Sequence, residues 1–586
     1  MPYKSAVIVL HDIPFYTGRD AWKNKVTLSL NFSKDDRVTS FVQPFDYYEL
    51  DLTGHDIRLV SDSIYGRFYF TLPNDRGSFA YSIAANIANG QINGTFETIK
   101  TPDQVVQGVI SGKVSDEYLF RPDFELVQGD YPDFPQKPQE APDIRYYHGN
   151  HYLVHQDTLV YQIDQDTIPG IIIQQVIDRC YDEGGGLVVV PPGKYLSGAI
   201  QLKSNVILYL EEGTEIIASE KREDYPEGFF IFAREANNVG IAGKGVINGN
   251  GFAWIDSTRI EYAHRTDAKR LYRKKVELAF WPTVLFIDCK DVFTHDFEIR
   301  NSPSFHLTFF GCQHVDVRGV FLNTPISMVR ADGIDIIGSS HVSIRDCRII
   351  SGDDAICIKG NHVWKGMANN QPTHDVFVDN CVLTTSCNGF KTGTETQYDI
   401  FNIHFSNSII YNHPGEGLNA ASAISLTAVD GGNLYKVFID SIQVYHTKTP
   451  VFLRLGMRNR DNPTGRSSMT GIVIQHLYAE GTTEPISMHG IPDLPIGSVG
   501  MRHIELVMAY EETRDIVSEP PNPIDIYPNA DRFGVFPAWA LYARHVDSLD
   551  IHQFSAVNER HDNRNGILLE NIGHKNLSNI LVSPSK

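Results

Sequence analysis

The amino-acid sequence predicts an all-β protein, most of which is a right-handed parallel β-helix, with a small antiparallel β domain before it. Strand-like runs recur roughly every 20 to 35 residues from Gly186 onward, and turn-forming residues separate them. No helical pattern of about 10 to 15 residues lies between successive runs, which excludes βαβ units. Such short runs cannot bury their apolar faces alone, but stacked coils bury them against one another.

A repeated phrase supports this solenoid. Three segments share an alternating pattern, and each leads a few residues later to an apolar residue and a polar turn. The segments are His314–Val317, His341–Ile344 and Asp375–Val378, and the apolar residues are Phe321, Ile349 and Val382. The pattern predicts that these positions stack in successive coils.

Four cysteines fall at similar points of successive runs: Cys289, Cys312, Cys347 and Cys381. We expect them to form an interior stack of small apolar groups. A metal site is the weaker interpretation, because CxxC spacing is absent. The 7 cysteines of the chain are an odd number scattered along it, so a disulfide framework is not expected.

Three regions are expected along the chain. Residues 1–130 carry short alternating runs separated by turn formers, which predicts a β-sandwich-like domain. A proline-rich linker is expected at 131–145, and the parallel β-helix is expected at 146–586 as the catalytic domain. Near its start, a helical pattern runs from Ile168 to about Glu183 and stops at three glycines.

Composition and charge narrow the classes of function. The 586 residues are 42% hydrophobic and 21% charged, as in a globular protein. The net charge of -20 argues against nucleic acid and anionic membranes as partners. The first residues lack the apolar core of a signal peptide, so a cytoplasmic location is expected; a secreted or periplasmic one would require a signal that has been removed. The sequence does not indicate an oligomeric state.

Two groups of aspartates lie about one coil apart. Asp332 comes first, and the pair Asp353 and Asp354 follows. One coil of a β-helix returns the chain to the same face about 4.8 Å further along the axis, so these three carboxylates should be neighbours. Adjacent residues of a regular strand point to opposite faces, so both members of the pair serve one site only at a bend. Gly352 would supply the conformational freedom for that bend.

Clustered carboxylates indicate acid and base chemistry. They raise the pKa of one member, which provides a protonated acid beside an ionised base. Glycoside hydrolysis needs this division of labour. The alternative is that Asp332 and Asp335 only cap turns, a frequent role of aspartate. Two clusters one coil apart favour catalysis over turn capping.

Further motifs accompany these aspartates: Asp332–Asp335, Ser351–Lys359, Gly389–Glu395, PPGKYLSGAIQLKSNVILYLEEGTEI, PSFHLTFFGCQHVDVRGV, AVDGGNLYKVFIDSIQV and PVFLRLGMR. With them, the sequence resembles glycoside hydrolase family 28, the polygalacturonases and rhamnogalacturonan hydrolases, over about residues 150–510. The resemblance implies an inverting hydrolase of pectic sugars that needs no metal or other cofactor. It implies that Asp353 is the general acid and that Asp332 and Asp354 hold and deprotonate the attacking water.

The sequence departs from the family pattern at three places. The usual Asn-Thr-Asp-Gly appears as Arg330-Ala331-Asp332-Gly333. Gly-His-Gly appears as Cys387-Asn388-Gly389, so the auxiliary histidine is missing. The Arg-Ile-Lys motif that holds a galacturonate carboxylate is replaced by Ala423-Ile424-Ser425. These departures leave open whether galacturonate or a rhamnogalacturonan-type sugar occupies the cleavage site.

Five other residues are candidates for substrate binding: Lys359, Lys391, Glu395, Arg454 and His306. Lys391 and Glu395 lie one coil beyond the aspartates and are expected at the same cleft, whereas Lys359 points either into it or away. Arg454 interrupts an apolar strand and needs an anionic partner, which is either substrate or a protein carboxylate such as Asp430. His306 is either a substrate contact or a hydrogen-bonded structural residue.

The sequence leaves three functions to be compared. The first is a glycoside hydrolase of pectic oligosaccharides that acts from the chain end, since the N-terminal domain and the insert 251–281 could close one end of the groove. The second is a polysaccharide lyase, in which the three aspartates would bind calcium. The third is a β-helix that binds carbohydrate without chemistry, which would give the aspartates no reason to cluster.

Overall fold

The computed structural model describes residues 5–11, 25–32, 38–42, 51–55, 57–71, 78–101, 104–115, 150–153, 170–262, 270–274, 278–326, 328–360, 370–412, 420–459, 465–509 and 520–583. The chain divides into two compact units, Met1–Glu125 and Leu126–Lys586. The expected linker at 131–145 lies outside the described residues. A membrane-spanning helix, long and apolar enough to cross a bilayer, is not found in the described part of the chain.

The described residues of the first unit form one antiparallel sheet of nine strands. Their bounds are β1 Ser5–His11, β2 Lys25–Phe32, β3 Val38–Val42, β4 Asp51–His55, β5 Arg58–Val60, β6 Ser63–Thr71, β7 Ser78–Ala88, β8 Gln91–Thr101 and β9 Gln104–Ser115. The strand order is β3-β2-β1-β9-β8-β7-β6-β4, and β5 pairs with β6. Alternate residues such as Ala6, Ile8 and Leu10 are buried, which is the pattern of a sheet with one packed face. The small antiparallel β domain expected from the sequence is therefore present.

The second unit begins with a strand and the single α-helix of the described residues, followed by a long succession of short strands. Their bounds are β10 Asn150–Leu153, α1 Gly170–Asp182, β11 Gly186–Val190, β12 Gly193–Ser197, β13 Ile200–Leu202, β14 Val206–Leu210, β15 Thr214–Ala218, β16 Ile231–Arg234, β17 Asn237–Gly243, β18 Val246–Asn248, β19 Ile255–Tyr262, β20 Arg270–Lys274, β21 Val284–Ile287, β22 Lys290–His295, β23 Glu298–Arg300, β24 Leu307–Phe310, β25 Gln313–Arg318 and β26 Phe321–Asn323.

The remaining strands lengthen toward the C-terminal end. They are β27 Ile334–Ile337, β28 Ser340–Arg345, β29 Arg348–Ser351, β30 Ile356–Lys359, β31 Thr373–Asp379, β32 Val382–Thr385, β33 Asn388–Thr392, β34 Ile400–Tyr411, β35 Ser422–Ala428, β36 Asn433–Tyr445, β37 Thr449–Leu455, β38 Ser468–Thr482, β39 Ile486–His489, β40 Ile496–Met508, β41 Ala538–Asn558 and β42 Asn565–Ser583. Short 3-10 turns lie at Arg222–Asp224, Gly251–Trp254 and Ala530–Arg532.

These strands form a parallel β-helix in which each coil pairs with the next along three ladders. The first ladder runs through β11, β14, β17, β22, β25, β28 and β31, and the second through β12, β15, β18, β23, β26, β29 and β32. The third runs through β13, β16, β21, β24, β27, β30, β33, β35, β37, β39 and β41. From β34 onward, the first two ladders continue within single long strands. The predicted fold class is confirmed, and the insert 251–281 contains the antiparallel hairpin β19–β20.

Helix α1 packs on the first coil of the β-helix. Its residues Ile173, Ile177 and Cys180 are wholly buried in the continuous apolar core. The helix ends as the sequence predicts, because Gly184 and Gly185 take φ values of 100° and 99°, which L side chains rarely adopt.

The corners between ladders use residues in the left-handed backbone conformation. His314, His341 and Asp375 open the repeated phrase with φ of 54°, 55° and 55°. Aspartate, asparagine and histidine tolerate this conformation better than most residues. The following valines lie in register, as predicted. The next buried level is instead Leu322, Ile349 and Leu383, because Phe321 and Val382 are one residue early in the register and only partly buried.

The four stacked cysteines are buried in the apolar core, but they form two stacks rather than one. Cys289 and Cys312 follow strands of the third ladder, whereas Cys347 and Cys381 lie between strands of the first and second ladders. Each pair has a contact between its own two thiols. The sequence spacing did not separate these two corners, because coil length varies.

Candidate active site

Three consecutive strands of the third ladder carry the predicted acidic site. The register of β27, β30 and β33 places Asp335, Cys357 and Lys391 side by side on successive coils. Their side chains share the outer face of this ladder, because alternate residues of these strands, such as Ile334, fill the core. The strand pairing therefore places residues 22 and 34 positions apart in the sequence next to each other on adjacent coils.

The residues just before these strands are also aligned. Asp332, Asp354 and Asn388 each lie two positions before the aligned residues Ile334, Ile356 and Phe390. The backbone N–H of Gly333 donates to the carbonyl of Asp354 at 2.9 Å, and that of Ala355 to the carbonyl of Asn388 at 2.8 Å. The expectation that the aspartates are neighbours across one coil is thus met by the backbone itself.

Asp353 and Asp354 lie in the bend between β29 and β30, where both can face one site. Gly352 precedes them, but its role differs from the one expected. Its φ is not in the left-handed region, and a Cβ there would lie 1.8 Å from the carbonyl oxygen of Met328. A glycine is needed here because of close backbone approach rather than backbone freedom.

A cleft of about 360 Å³ opens over these residues. It is lined by Trp281, Phe305, Arg330, Asp332, Ile337, Asp353, Asp354, Lys359, Lys391, Gly393, Thr394, Glu395 and Tyr527. Six of the residues singled out from the sequence are therefore together: the three aspartates, the two lysines and Glu395. His306 and Arg454 do not line the cleft.

Asp354 is held in its ionised form. Lys391 Nζ lies 2.9 Å from Asp354 Oδ2, and the Asn388 amide donates to Oδ1 at 2.6 Å. Burial raises the pKa of Asp354, but the charge of Lys391 and the hydrogen bonds from Lys391 and Asn388 outweigh burial and leave the pKa below its ordinary value. Asp354 thus has the electrostatic setting of a base.

Asp353 is shifted in the opposite direction. Burial and the negative charge of Asp354 raise the pKa of Asp353, while Lys391 opposes the shift. The backbone carbonyl of Asp353 accepts hydrogen bonds from the hydroxyls of Ser351 and Thr385, which fix the bend. Unlike its neighbour, Asp353 remains partly exposed to the cleft. Of these two adjacent carboxyl groups, Asp353 therefore keeps its proton to a higher pH than Asp354 does.

Asp332 belongs to a second, more deeply buried group. Lys359 Nζ lies 2.7 Å from Asp335 Oδ1, 3.4 Å from Asp332 Oδ2 and 4.0 Å from Glu395 Oε2. Burial and the negative charge of Asp335 raise the pKa of Asp332 well above its ordinary value, and burial raises that of Asp335 to about 6. The ammonium of Lys359 is the shared partner of this group, so Lys359 points into the cleft.

His306 supports the backbone of Asp332. Its ring Nδ1 and its backbone N–H both donate to the carbonyl of Asp332, at 2.7 and 2.9 Å, and Nε2 accepts from the Thr324 hydroxyl at 2.6 Å. The ring is wholly buried, and burial lowers its pKa to about 4. These contacts agree with the structural alternative, and direct substrate contact stays a prediction.

Arg454 is also wholly buried, and its hydrogen-bond partners are neutral oxygens. It donates to the side chain of Asn522 and to the carbonyls of Pro523 and His489. The expected anionic partner Asp430 pairs instead with Arg458, at 2.9 Å between Nε and Oδ1. Carbonyl and amide oxygens accept from the two terminal nitrogens of this buried guanidinium, whereas its Nε is without a partner among the described residues, which the sequence pattern could not show.

Three residues of the site were not selected from the sequence: Asn388 and Asp335, which contact residues of the cleft, and Tyr527, which lines it. Asn388 occupies the place of the missing histidine, and only its hydrogen bond to Asp354 reveals its role. For Asp335, turn capping was the alternative to a place in the site, and its side chain is wholly buried against Lys359. Tyr527 comes from a loop far along the chain, and its ring lies 5.9 Å from both Lys391 Nζ and the Arg458 guanidinium. No sequence signal marked it.

Two groups of side chains in the described residues could hold a cation by geometry alone. They are Asp332, Asp335 and Cys357, and Asp353, Asp354 and Cys387, with ligand atoms within 4.8 Å of one another. In each group a lysine ammonium already neutralises a carboxylate. The donor sets therefore fit internal ion pairs better than a metal ion, which would be repelled by Lys359 or Lys391.

The fold and the clustered carboxylates define a β-helix hydrolase, and comparison with known proteins agrees. The sequence profile of glycosyl hydrolases family 28 matches residues 180–418. A probable polygalacturonase of Vitis vinifera is 20% identical over 354 residues, covering 56% of this chain and 68% of that protein. Over residues 180–418 the chain thus resembles glycosyl hydrolases family 28, and it is a glycoside hydrolase.

Two solved structures share the fold. An exopolygalacturonase of Thermotoga maritima superposes with a TM-score of 0.53 at 18% identity, covering 72% of this chain and 93% of that one. A family 28 exopolygalacturonase of Yersinia enterocolitica superposes with a TM-score of 0.51 at 14% identity, covering 95% of this chain and 96% of that one.

Proposed function

We propose that this protein is an inverting glycoside hydrolase that removes sugars from the chain end of pectic oligosaccharides. Asp353 is the general acid, Asp354 is the base, and Asp332 holds the attacking water with it. The observation that carries the proposal is that the pKa values of two adjacent carboxyl groups in the cleft are shifted in opposite directions. The pKa of Asp353 is raised and that of Asp354 is lowered. An acid and a base ready in the same cleft are what hydrolysis of a glycosidic bond requires.

The reaction follows from these positions. The Asp353 carboxyl donates its proton to the glycosidic oxygen as the bond to the anomeric carbon breaks. Water attacks the anomeric carbon from the opposite face and gives its proton to Asp354. The alcohol leaves with the proton from Asp353, and the sugar gains the water oxygen. General acid and base assistance of this kind contributes roughly 10²- to 10⁴-fold each.

Asp332 has a different task from Asp354. Burial and the charge of Asp335 raise the pKa of Asp332, so Asp332 keeps its proton to a higher pH than Asp354 and is less often free to accept one. A carboxyl of this kind can still orient water by hydrogen bonding. Proton abstraction therefore falls to Asp354, whose negative charge is stabilised by Lys391 and Asn388.

Pectic substrates and chain-end action are supported by the relatives and by the cleft walls. The grape relative is described as a probable polygalacturonase, and both similar structures are exopolygalacturonases. Two segments outside the stacked strands contribute residues to the cleft. One is the 251–281 insert, whose last residue is Trp281, and the other is the loop that contains Tyr527. Such walls at a groove favour binding of a chain end over binding of an internal segment.

One observation favours a second mechanism. The nearest carboxylate oxygens of Asp353 and Asp354 lie within 4.8 Å of each other. Inverting pairs are typically about 6.5–9.5 Å apart and retaining pairs about 5–5.5 Å. If Asp354 attacked the anomeric carbon and water then displaced Asp354 from the same carbon, the two inversions would retain the configuration. The anomeric configuration of the first product therefore decides between the two mechanisms.

The proposed function is tested by product analysis. The protein is incubated with oligogalacturonides and rhamnogalacturonan fragments, and products are identified by mass. We expect saturated products that are shortened from one end. The rate of product formation by Asp353→Asn should be about 10²- to 10⁴-fold lower than that of the wild type. Ultraviolet-absorbing products would show a lyase instead. Unchanged oligosaccharides in both incubations would contradict the pectic substrate.

A further inference from the structure

The cations that line the cleft differ in whether they are already paired. Lys359 and Lys391 line it, but their ammonium groups lie 2.7 Å from Asp335 and 2.9 Å from Asp354. Both lysines are almost wholly buried, with 6% and 2% of their surface exposed. Their charge is used within the protein, so neither is available as the main partner of an anionic ligand.

Arg330 is different. It lines the same cleft and its side chain is exposed. Among the residues described by the structure, no carboxylate pairs with its guanidinium. Its backbone is held by a φ of 61°, and its carbonyl accepts a hydrogen bond from the Ser304 hydroxyl at 3.3 Å. The backbone of Arg330 is thus fixed two residues from Asp332, and its exposed side chain lines the cleft.

The balance of charge in the cleft shows what such a residue could do. Five carboxylates lie in or beneath it: Asp332, Asp335, Asp353, Asp354 and Glu395. Even with protons on two of them, three negative charges remain against the two lysines, so the cleft keeps a net negative charge. A sugar that carries a carboxylate would therefore meet no net attraction unless another cation faces it.

We propose that Arg330 binds the carboxylate of an acidic sugar, a hexuronate, next to the bond that is cleaved. This inference rests on the proposed function and adds to it the residue that selects an anionic sugar. A guanidinium binds a carboxylate with two parallel hydrogen bonds, which an ammonium cannot do. The segment Ala423–Ser425 is wholly buried and supplies no cation. Trp281, Phe305 and Tyr527 give the cleft aromatic surface for the sugar ring.

Binding measurements separate this role from catalysis. Calorimetry is performed on full-length Asp353→Asn protein, which binds without cleavage, with and without Arg330→Gln. The ligands are trigalacturonate and its carboxyl-reduced, neutral counterpart. We expect Arg330→Gln to weaken trigalacturonate binding by at least about tenfold and to leave the neutral ligand unchanged. Arg330→Lys should recover part of the affinity, and Arg502→Gln, at an exposed arginine outside the cleft, should have no effect.

The outcomes distinguish this inference from the proposed function. If the wild-type protein cleaves trigalacturonate but Arg330→Gln binds it normally, the inference is wrong and the proposed function stands. An equal loss of affinity for the acidic and the neutral ligand would also overturn it, because recognition would not involve the carboxylate. If neither trigalacturonate nor the rhamnogalacturonan fragments are bound or cleaved, both the inference and the pectic substrate are wrong. Circular dichroism of each variant verifies that the fold is retained.

Discussion

Replacing Lys391 with methionine should move the whole pH profile of catalysis upward. The ammonium lies 2.9 Å from Asp354 Oδ2 and is the main influence that lowers the pKa of this carboxylate. At an effective dielectric constant of about 20, two charges at this distance interact by about 6 kcal/mol. Compensating effects reduce this, and a neighbouring opposite charge usually shifts a carboxyl pKa by about 1 to 3 units.

The direction follows from both carboxylates. Without Lys391, burial raises the pKa of Asp354, so the base is lost at a higher pH and the acidic limb moves up. Lys391 also lowers the pKa of Asp353, so its removal lets the acid stay protonated to higher pH and the basic limb moves up as well. We therefore expect the acidic limb of kcat/KM to shift by about 1 to 3 pH units toward neutral pH.

The assay is kcat/KM measured from about pH 3 to about pH 9 on the substrate identified by product analysis. Lys391→Arg keeps the charge and should move the limbs much less. Lys290→Met, at an exposed lysine on β22, is the matched control and should match the wild type. A lower rate in Lys391→Met with both limbs of the pH profile unmoved would contradict the effect of Lys391 on the two carboxyl pKa values. Lys391 would then act only in packing or in substrate contact.

Two further changes test the local structure. Gly352→Ala places a Cβ 1.8 Å from the Met328 carbonyl, so it should lower the free energy of unfolding by about 1–3 kcal/mol and reduce kcat. The control is Gly500→Ala, whose Cβ meets nothing within 4 Å and which should leave the free energy of unfolding, measured with denaturant, nearly unchanged. Equal stability of the two variants would contradict the close-approach argument. Arg454→Met leaves buried oxygens around it unpaired and should lower the Tm and raise KM, since these contacts hold the loop that carries Tyr527. A lower Tm with unchanged KM would mean that the loop does not depend on Arg454.

The site residues that could be predicted from the sequence are those whose positions are fixed by the register of the parallel strands on adjacent coils. Asp332 and Asp354 stand one coil apart in the sequence, and parallel strand pairing turns that spacing into contact. Lys391 follows on the next coil for the same reason. Proximity can be predicted in this fold because each coil touches only its neighbours.

The features that the sequence did not predict depend on groups outside this register. Tyr527 reaches the cleft from a loop more than 130 residues after Lys391, and no repeat relates the two. The partners of Arg454 are backbone and amide oxygens from the same loop, and such oxygens have no sequence signature. The two cysteine stacks were merged because coils of unequal length place Cys312 and Cys347 at different corners.

The most direct test of the central claim is proton NMR of the first turnover, recorded before the released sugar mutarotates. We expect a saturated product whose anomeric configuration is opposite to that of the bond cleaved, and no such product from Asp353→Asn in the same time. A product of retained configuration would contradict the water-activating role of Asp354, and full activity of Asp353→Asn would contradict the assignment of the general acid.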